Sequence, residues 1–277
     1  MAIWPGNTLL SRPDADQSTG ISHLDPVRQK RAGSFGQLAE DYDRYRPGYP
    51  DQLFDDVLAL TAENHVLEAG CGTGRATLGL ASRGARVVAV EHDPAMVSVA
   101  RRRTQGLAVE LIESQFEDYA PAPADFDLVT CAQAWHWIDP VRGPEIAATA
   151  LKPGGALCIW WNRPLRFEGP AWNAIHAVYQ QYAPHLDRQT AVRERGYSEP
   201  MPEPADSFAP WTLQTYEWTQ SYSADDYARF LGTHSDHIIL PQEQRDSLLD
   251  AVRTAISAQR EPLTYEYRTL LYVARRA

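Results

Sequence analysis

A chain of 277 residues is long enough for one large α/β domain with a lid and a sizeable core. Its 44% apolar and 22% charged residues are ordinary for a globular protein, which excludes a wholly disordered or fibrous chain. Lys and Arg total 26 against 36 Asp and Glu, and a net charge of −10 repels phosphate backbones, so general nucleic-acid binding is not expected.

Residues 1–31 are polar and without a sustained period, which predicts a mobile tail ahead of a single domain over 32–277. The stretch FGQLAEDYDRYRPGYP reads as a short helix stopped by Pro47 and Pro50, and DQLFDDVLAL carries a helical apolar stripe at Leu53, Phe54, Val57, Leu58 and Leu60. A strand–helix rhythm then begins. HVLEAG is a strand, GRATLGLASRG a helix stopped at Gly84, ARVVAVEHD a second strand, and PAMVSVARRR a helix opened by Pro94. GLAVELIES and FDLVTCAQAW are the third and fourth strands; PVRGPEIAATAL is a helix, KPGG a turn and ALCIWWN the fifth strand. Units alternating in this way predict a parallel sheet with helices on both faces.

After Asn162 the rhythm changes. PAWNAIHAVYQQYAPHL is helical, RERGYSEPMPEPADSFAPW a Pro-rich loop, and WTLQTYEWTQSYS an alternating strand. SADDYARFLGTH is a helix capped by Ser223, PQEQRDSLLDAVRTAISAQR another helix, and LTYEYRTLLYVARR a closing strand. The last two strands are expected to form an antiparallel edge. Residues of about 32–52, 163–210 and 223–258 are expected to build a small helical cap over the sheet.

Cys71, Cys131 and Cys158 form no CxxC pair, which fits a reducing, cytoplasmic setting without a disulfide framework or structural zinc. No apolar run reaches the roughly 20 residues of a membrane span, and no secretory leader is expected. Eight Trp and thirteen Tyr stand against seven Phe, an aromatic set rich in polar handles.

The chemistry concentrates in VLEAGCGTGRAT, where Glu68, Gly70, Gly72 and Gly74 join a strand to a helix. Glycines there let the backbone approach a ligand, and the helix start offers free N–H groups. A dinucleotide site needs a third glycine at relative position six; Arg75 or Thr77 stands there instead, which argues against a nicotinamide or flavin enzyme. Glu91 ends the second strand 17 residues after Gly74, placed so that its carboxylate can accept ribose hydroxyls.

This stretch resembles the first motif of class I S-adenosylmethionine-dependent methyltransferases, in their small-molecule (methyltransferase type 11-like) group. The Tyr42–Arg46–Pro47 segment, AQAWHWID and the closing helix and strand are similar to that group too, so the likeness runs from about Phe35 to Arg276. It implies a Rossmann-like, seven-stranded, mostly parallel sheet with an antiparallel C-terminal hairpin strand, helices on both faces and a small helical cap. It implies S-adenosyl-L-methionine as cofactor. Glu68, Gly70, Gly72 and Gly74 would form its glycine turn and Glu91 hold its ribose, His92 and Met96 would line the adenine and ribose, Gln115 and Phe116 the adenine edge, and Ala132 and Gln133 the methionine part. Tyr42 and Arg46 would close over the methionine end, Arg46 bonding the carboxylate. Phe116 fits the core equally well.

For the acceptor, His136 is the candidate base, with a packing role between Trp135 and Trp137 as the alternative. Tyr42 and Tyr49 are further catalytic candidates, and Tyr49, Trp135, Trp137, Trp160 and His234 candidate substrate contacts. No metal-ligand pattern is present. The AQAWHW segment lacks the N/D-P-P-Y/F grip of DNA amino-methyltransferases. The expectation is C- or O-methylation of a small aromatic or apolar metabolite such as an indole or phenol, in natural-product tailoring. A quinone-ring C-methyltransferase of respiratory lipid metabolism and a non-catalytic cofactor-binding regulator are the alternatives. The sequence carries no statement on oligomeric state.

Overall fold

A computed structural model describes residues 39–187, 189, 204–259 and 262–277. The expected tail over 1–31 and most of the Pro-rich loop lie outside the described residues.

Seven strands form one sheet in the order β3-β2-β1-β4-β5-β7-β6. They are β1 (His65–Ala69), β2 (Arg86–Glu91), β3 (Val109–Glu113), β4 (Phe126–Ala132), β5 (Leu151–Arg166), β6 (Thr212–Tyr222) and β7 (Leu263–Arg275). The first five are parallel; β7 runs antiparallel between β5 and β6. Helices α1 (Ala39–Tyr45) and α2 (Asp51–Leu58) precede the sheet, and α3 (Arg75–Ala81), α4 (Pro94–Arg103) and α5 (Arg142–Ala150) make its crossovers. Beyond β5 come α6 (Pro170–Tyr182), then α7 (Ala224–Gly232), α8 (Ser235–Ile238) and α9 (Gln242–Ser257) between β6 and β7. The final strand pair is therefore joined through three helices, not by a tight hairpin turn.

Local chemistry explains the boundaries. Asp93 caps α4, accepting the Ala95 and Met96 N–H groups at 2.8 and 3.2 Å, with Pro94 preorganised in the first turn. Ser223 caps α7 through the Asp226 N–H at 3.1 Å, as its position predicts. The expected KPGG turn is instead a bulge at the start of β5. Between Phe126 and Leu128 of β4 the partner moves from Leu151 to Ala156, so the looped-out residues are absorbed without ending the strand.

The strands β1, β2 and β4 are buried on both faces, which is why they read as continuous apolar runs. One face packs aliphatic residues of α2, α3 and α4, among them Leu53, Val57 and Leu80. The other face gathers Val129, Ile146 and Ile159. A third core lies in the cap, where α6, α7 and α9 meet the ends of β6 and β7, and most of its buried residues are aromatic.

Because strand order reverses between β1 and β4, their carboxyl ends part at a topological switch point. Open α/β sheets bind ligands in such a crevice.

Candidate active site

A cleft of about 670 Å³ opens at that switch point, within the size range of small-molecule sites. Its floor is the turn after β1. Gly70, Gly72 and Gly74 all hold positive φ, at 65°, 56° and 77°. A Cβ on Gly70 would lie 2.8 Å from Ala134 Cβ, so that glycine lets the β1 turn close against the segment after β4. A Cβ on Gly72 would meet nothing within 4 Å, so its bareness leaves room on the cleft side. Gly74 lies behind the cleft, against Ala100.

Glu91 closes β2 facing the turn. Its Oε2 accepts the Gly72 N–H at 2.9 Å, and its Oε1 accepts the His92 and Asp93 N–H groups at 2.9 and 3.0 Å. Burial raises this carboxyl, but the His92 side chain and these backbone donors outweigh it and hold the group below the ordinary carboxylate range. It is therefore an anion at neutral pH. Oε2 carries one donor and so has capacity for a hydroxyl. The same contact raises the His92 imidazole, whose Nδ1 is 3.0 Å from Glu91 Oε1.

Glu68 takes a different place. It is fully buried beneath the turn and does not line the cleft. The Thr77 hydroxyl donates to its Oε2 at 2.6 Å, while its Oε1 has no partner. Burial pushes this carboxyl up to about 7, with the Glu91 charge adding to the rise and the Thr77 bond opposing it.

Met96, Gln115, Phe116, Ala132 and Gln133 all line the cleft. Phe116 is buried in the sheet core as well as lining the cleft. Gln133 holds φ of 62°, an uncommon conformation for a residue with a Cβ, and donates its N–H to Trp160 O at 2.9 Å. That strained backbone ends β4 at the cleft edge.

The far wall comes from α1, the loop after it, and the cap. Arg46 lies over the Tyr42 ring at 4.8 Å and donates to Thr233 Oγ1 and O at 2.9 and 2.8 Å, which ties the loop to α7. Asn162 donates to Gly48 O at 2.8 Å and accepts from the Thr269 hydroxyl at 2.7 Å, fixing the same loop to the sheet. Tyr49 lines the cleft, and burial raises its hydroxyl far above the usual range. His234 lines the cleft with Nδ1 3.0 Å from Phe230 O; a carbonyl only accepts, so Nδ1 carries a proton. His136 and Trp137 stand on the rim, His136 exposed and its ring 4.6 Å from Trp137.

Two expected substrate contacts lie elsewhere. Trp160 is fully buried, edge-on to Tyr49 and Phe54 at 6.0 and 6.4 Å, because its position on β5 turns it toward α2. Trp135 packs beneath the rim beside Phe116 and Gly143. Arg75, Arg163, Tyr265 and Tyr267 line the cleft without having been singled out from the sequence. The alternation of the two tyrosines on β7 is the one signal that puts them on a common face. Among the described residues no group of His, Cys, Asp and Glu could hold a metal ion, and no helix is long and apolar enough to cross a membrane.

An acid at the end of β2, a glycine turn after β1 and a capped cleft at the switch point define the class: a Rossmann-like nucleotide-cofactor site of the methyltransferase kind. The comparisons agree. A methyltransferase-domain family matches residues 66–155. An uncharacterized methyltransferase of Mycobacterium tuberculosis (strain ATCC 25618 / H37Rv) is 32% identical over 235 residues, 83% of this chain and 88% of the relative. A Dictyostelium discoideum protein named as a methyltransferase is 25% identical over 242 residues, 83% of this chain and 90% of that protein. A structure from Anaeromyxobacter dehalogenans described as a type II methyltransferase has a TM-score of 0.61 at 24% identity, covering 83% of this chain and 98% of that one. A Haemonchus contortus phosphoethanolamine N-methyltransferase 2 in complex with S-adenosyl-L-methionine has a TM-score of 0.50 at 15% identity, covering 92% of this chain and 60% of that one.

The chain belongs to the class I S-adenosylmethionine-dependent methyltransferases. Its cofactor is S-adenosyl-L-methionine. The residues present suit that group: an ionised Glu91 for hydroxyls, a bare Gly72 for close approach, and aromatic faces for a cationic sulfonium.

Proposed function

We propose that this methyltransferase acts on a small molecule with an aromatic or apolar body, methylating oxygen or carbon, as in the tailoring of an indole or phenol. The observation that carries the reading is the aromatic lining of the cleft, by Tyr49, Phe230, Tyr265 and Tyr267 on the cap side and by Trp137 on the rim after β4. Such a wall binds flat or greasy surface and orients it by edge and face contacts.

In this reading 32–277 is one domain. Glu91 and Gly72 hold the ribose, Met96, Gln115 and Phe116 surround the adenine, and Ala132, Gln133, Tyr42 and Arg46 take the methionine part. The bound cofactor supplies an electrophilic methyl group on a sulfonium sulfur. Much of the remaining work is positioning, for which the Asn162–Gly48 and Arg46–Thr233 bonds hold the wall rigid. His136 stands where a proton leaving a phenol or ring carbon would be collected.

The test is release of S-adenosylhomocysteine across a panel of phenols, indoles and prenylated quinones. Turnover of a phenol or indole is expected. His136→Ala should lower it by about 100-fold while leaving S-adenosylhomocysteine affinity within about threefold. Turnover confined to prenylated quinones, or cofactor binding without any turnover, would contradict the reading.

A further inference from the structure

Two tyrosine hydroxyls meet where β6 and β7 pass under the cap. Tyr222 and Tyr267 hold their hydroxyl oxygens 2.9 Å apart, and each residue is only 3% exposed. Among the described residues each hydroxyl has this one hydrogen bond. A phenol carries one proton, so two phenols joined by a single bond leave one O–H without an acceptor. A buried donor in that state is costly, and its partner is to be sought in what the neighbouring space receives.

The surroundings say which proton is left over. Tyr267 lines the cleft and Tyr222 does not. Tyr222 stacks on Phe230 at 5.4 Å, and the Arg46 guanidinium lies over that same Phe230 ring at 5.6 Å. Burial raises the Tyr222 hydroxyl to about 12, opposed by its bond to Tyr267 and by the Arg46 and Arg75 charges. Nearby cations draw the oxygen lone pairs toward themselves and turn the proton away. Tyr222 therefore directs its proton to Tyr267, and the Tyr267 proton is the one left for the cleft.

The position of Tyr267 is on the acceptor side. Its ring is stacked against Tyr265 at 4.3 Å and against Trp218 at 4.6 Å, with both pairs within 20° of parallel. The Trp218 indole is itself held by the Thr269 hydroxyl at 2.8 Å. Tyr267 pairs in register with Pro164 of β5, another cleft residue. Since β5 lies between β4 and β7, Tyr267 is two strand spacings, about 10 Å, from the strand whose end is assigned to the methionine part.

We propose that Tyr267 is a specificity-determining residue, whose hydroxyl donates to a carbonyl oxygen on the aromatic or apolar body of the methyl acceptor, with Tyr222 as the positioning residue behind it. This rests on the small-molecule reading above and adds a polar requirement to it. A carbonyl oxygen has lone pairs and no proton of its own, which suits a site offering one donor. The inner hydroxyl polarises the outer one, and the stacked ring fixes where the proton points. An analogue unable to accept would leave that donor buried and unpaired, which is how such a site discriminates.

Calorimetry tests it on protein saturated with S-adenosylhomocysteine. The probes are carbonyl compounds against alkyl partners of the same heavy-atom count: 4-hydroxyacetophenone against 4-isopropylphenol, 3-hydroxybenzaldehyde against 3-ethylphenol, and indole-3-carbaldehyde against 3-ethylindole. At least one carbonyl compound is expected to bind about tenfold or more tightly than its partner, although the alkyl group is the more hydrophobic. Tyr267→Phe should erase that preference while leaving the affinities for the alkyl partner and S-adenosylhomocysteine within about threefold. The double variant Tyr222→Phe, Tyr267→Phe should do the same, and it leaves no orphaned hydroxyl to disturb folding. Alkyl partners that bind as well as the carbonyl compounds, or a preference that survives in both variants, would overturn the proposal and leave the aromatic-acceptor reading standing. If no probe of either kind binds while S-adenosylhomocysteine does, that reading falls and the proposal falls with it.

Discussion

On the α2–α3–α4 face of the sheet the buried side chains are mainly aliphatic, as at Leu53, Leu80 and Val87, whereas the cap is filled by rings such as Trp172, Tyr222, Tyr227 and Tyr265. Aliphatic burial is non-directional and tolerates any partner of the right volume. The cap rings carry polar ends that must be satisfied. Tyr222 and Tyr267 share a hydrogen bond of 2.9 Å, Tyr179 meets His237 Nε2 at 2.7 Å, and the Trp172 indole donates to Thr264 O at 3.2 Å. The cap core therefore takes the largest share of the Trp and Tyr surplus but not most of it, and among the described residues only Phe230, Tyr265 and Tyr267 serve both that core and the cleft. The sheet half presents the cofactor turn on a rigid frame; the cap half shapes the opposite wall through oriented contacts.

The largest effect is expected in the sheet half. Gly72→Asp combines a disfavoured positive φ with a second carboxylate facing Glu91, and should weaken S-adenosylhomocysteine binding by about 100-fold or more in calorimetry. In the cap, Trp172→Ala should cost about 3–5 kcal/mol in urea unfolding and speed hydrogen exchange in α6, α7 and α9. Its S-adenosylhomocysteine affinity should stay within about threefold. An equal loss of cofactor affinity would show that the halves are not separable.

Glu68→Gln sharpens the comparison from beneath the turn. With its carboxyl at about 7, Glu68 keeps a proton in the folded chain where the unfolded chain has released it. Native stability thus falls as pH rises from the ordinary carboxylate range through about 7, and is level above that. The glutamine variant lacks this loss. Its Tm in scanning calorimetry without cofactor should exceed wild type at pH 8, by on the order of 1–3 kcal/mol of stability, with little difference at pH 5. The smallest effect is expected on the edge pair of β6 and β7: Arg268→Ala, which removes the exposed bond to Glu217, should change stability by less than about 1 kcal/mol.

The cofactor half was legible because its residue types are dictated locally. A strand-to-helix turn that passes through positive φ asks for glycine, and a strand end that gathers the Gly72, His92 and Asp93 N–H groups asks for an acid; both sit at fixed spacing in the chain. Helix starts at Pro94 and Ser223 were legible for the same reason. The acceptor half was not. Two adjacent tryptophans on β5 face opposite sides of the sheet, and nothing local says which side is the cleft. Trp160 packs on Tyr49 and Phe54, and Trp161 on Tyr272. Arg75 and Arg163 acquire meaning only when α1 folds across α3 and when β5 runs on past Asn162. These are contacts between segments far apart in sequence. The KPGG segment misled because a Pro-Gly-Gly run signals a turn equally well whether the strand stops or only bulges.

The central claim is that the crevice between β1 and β4 holds the cofactor, with Glu91 on its ribose. A crystal structure with S-adenosylhomocysteine tests this most directly. The expected result is a ribose hydroxyl within hydrogen-bond distance of Glu91 Oε2, the adenine beside Phe116, and the sulfur facing His136, Trp137 and Arg163. A ligand bound elsewhere, or a ribose out of reach of Glu91, would contradict the account.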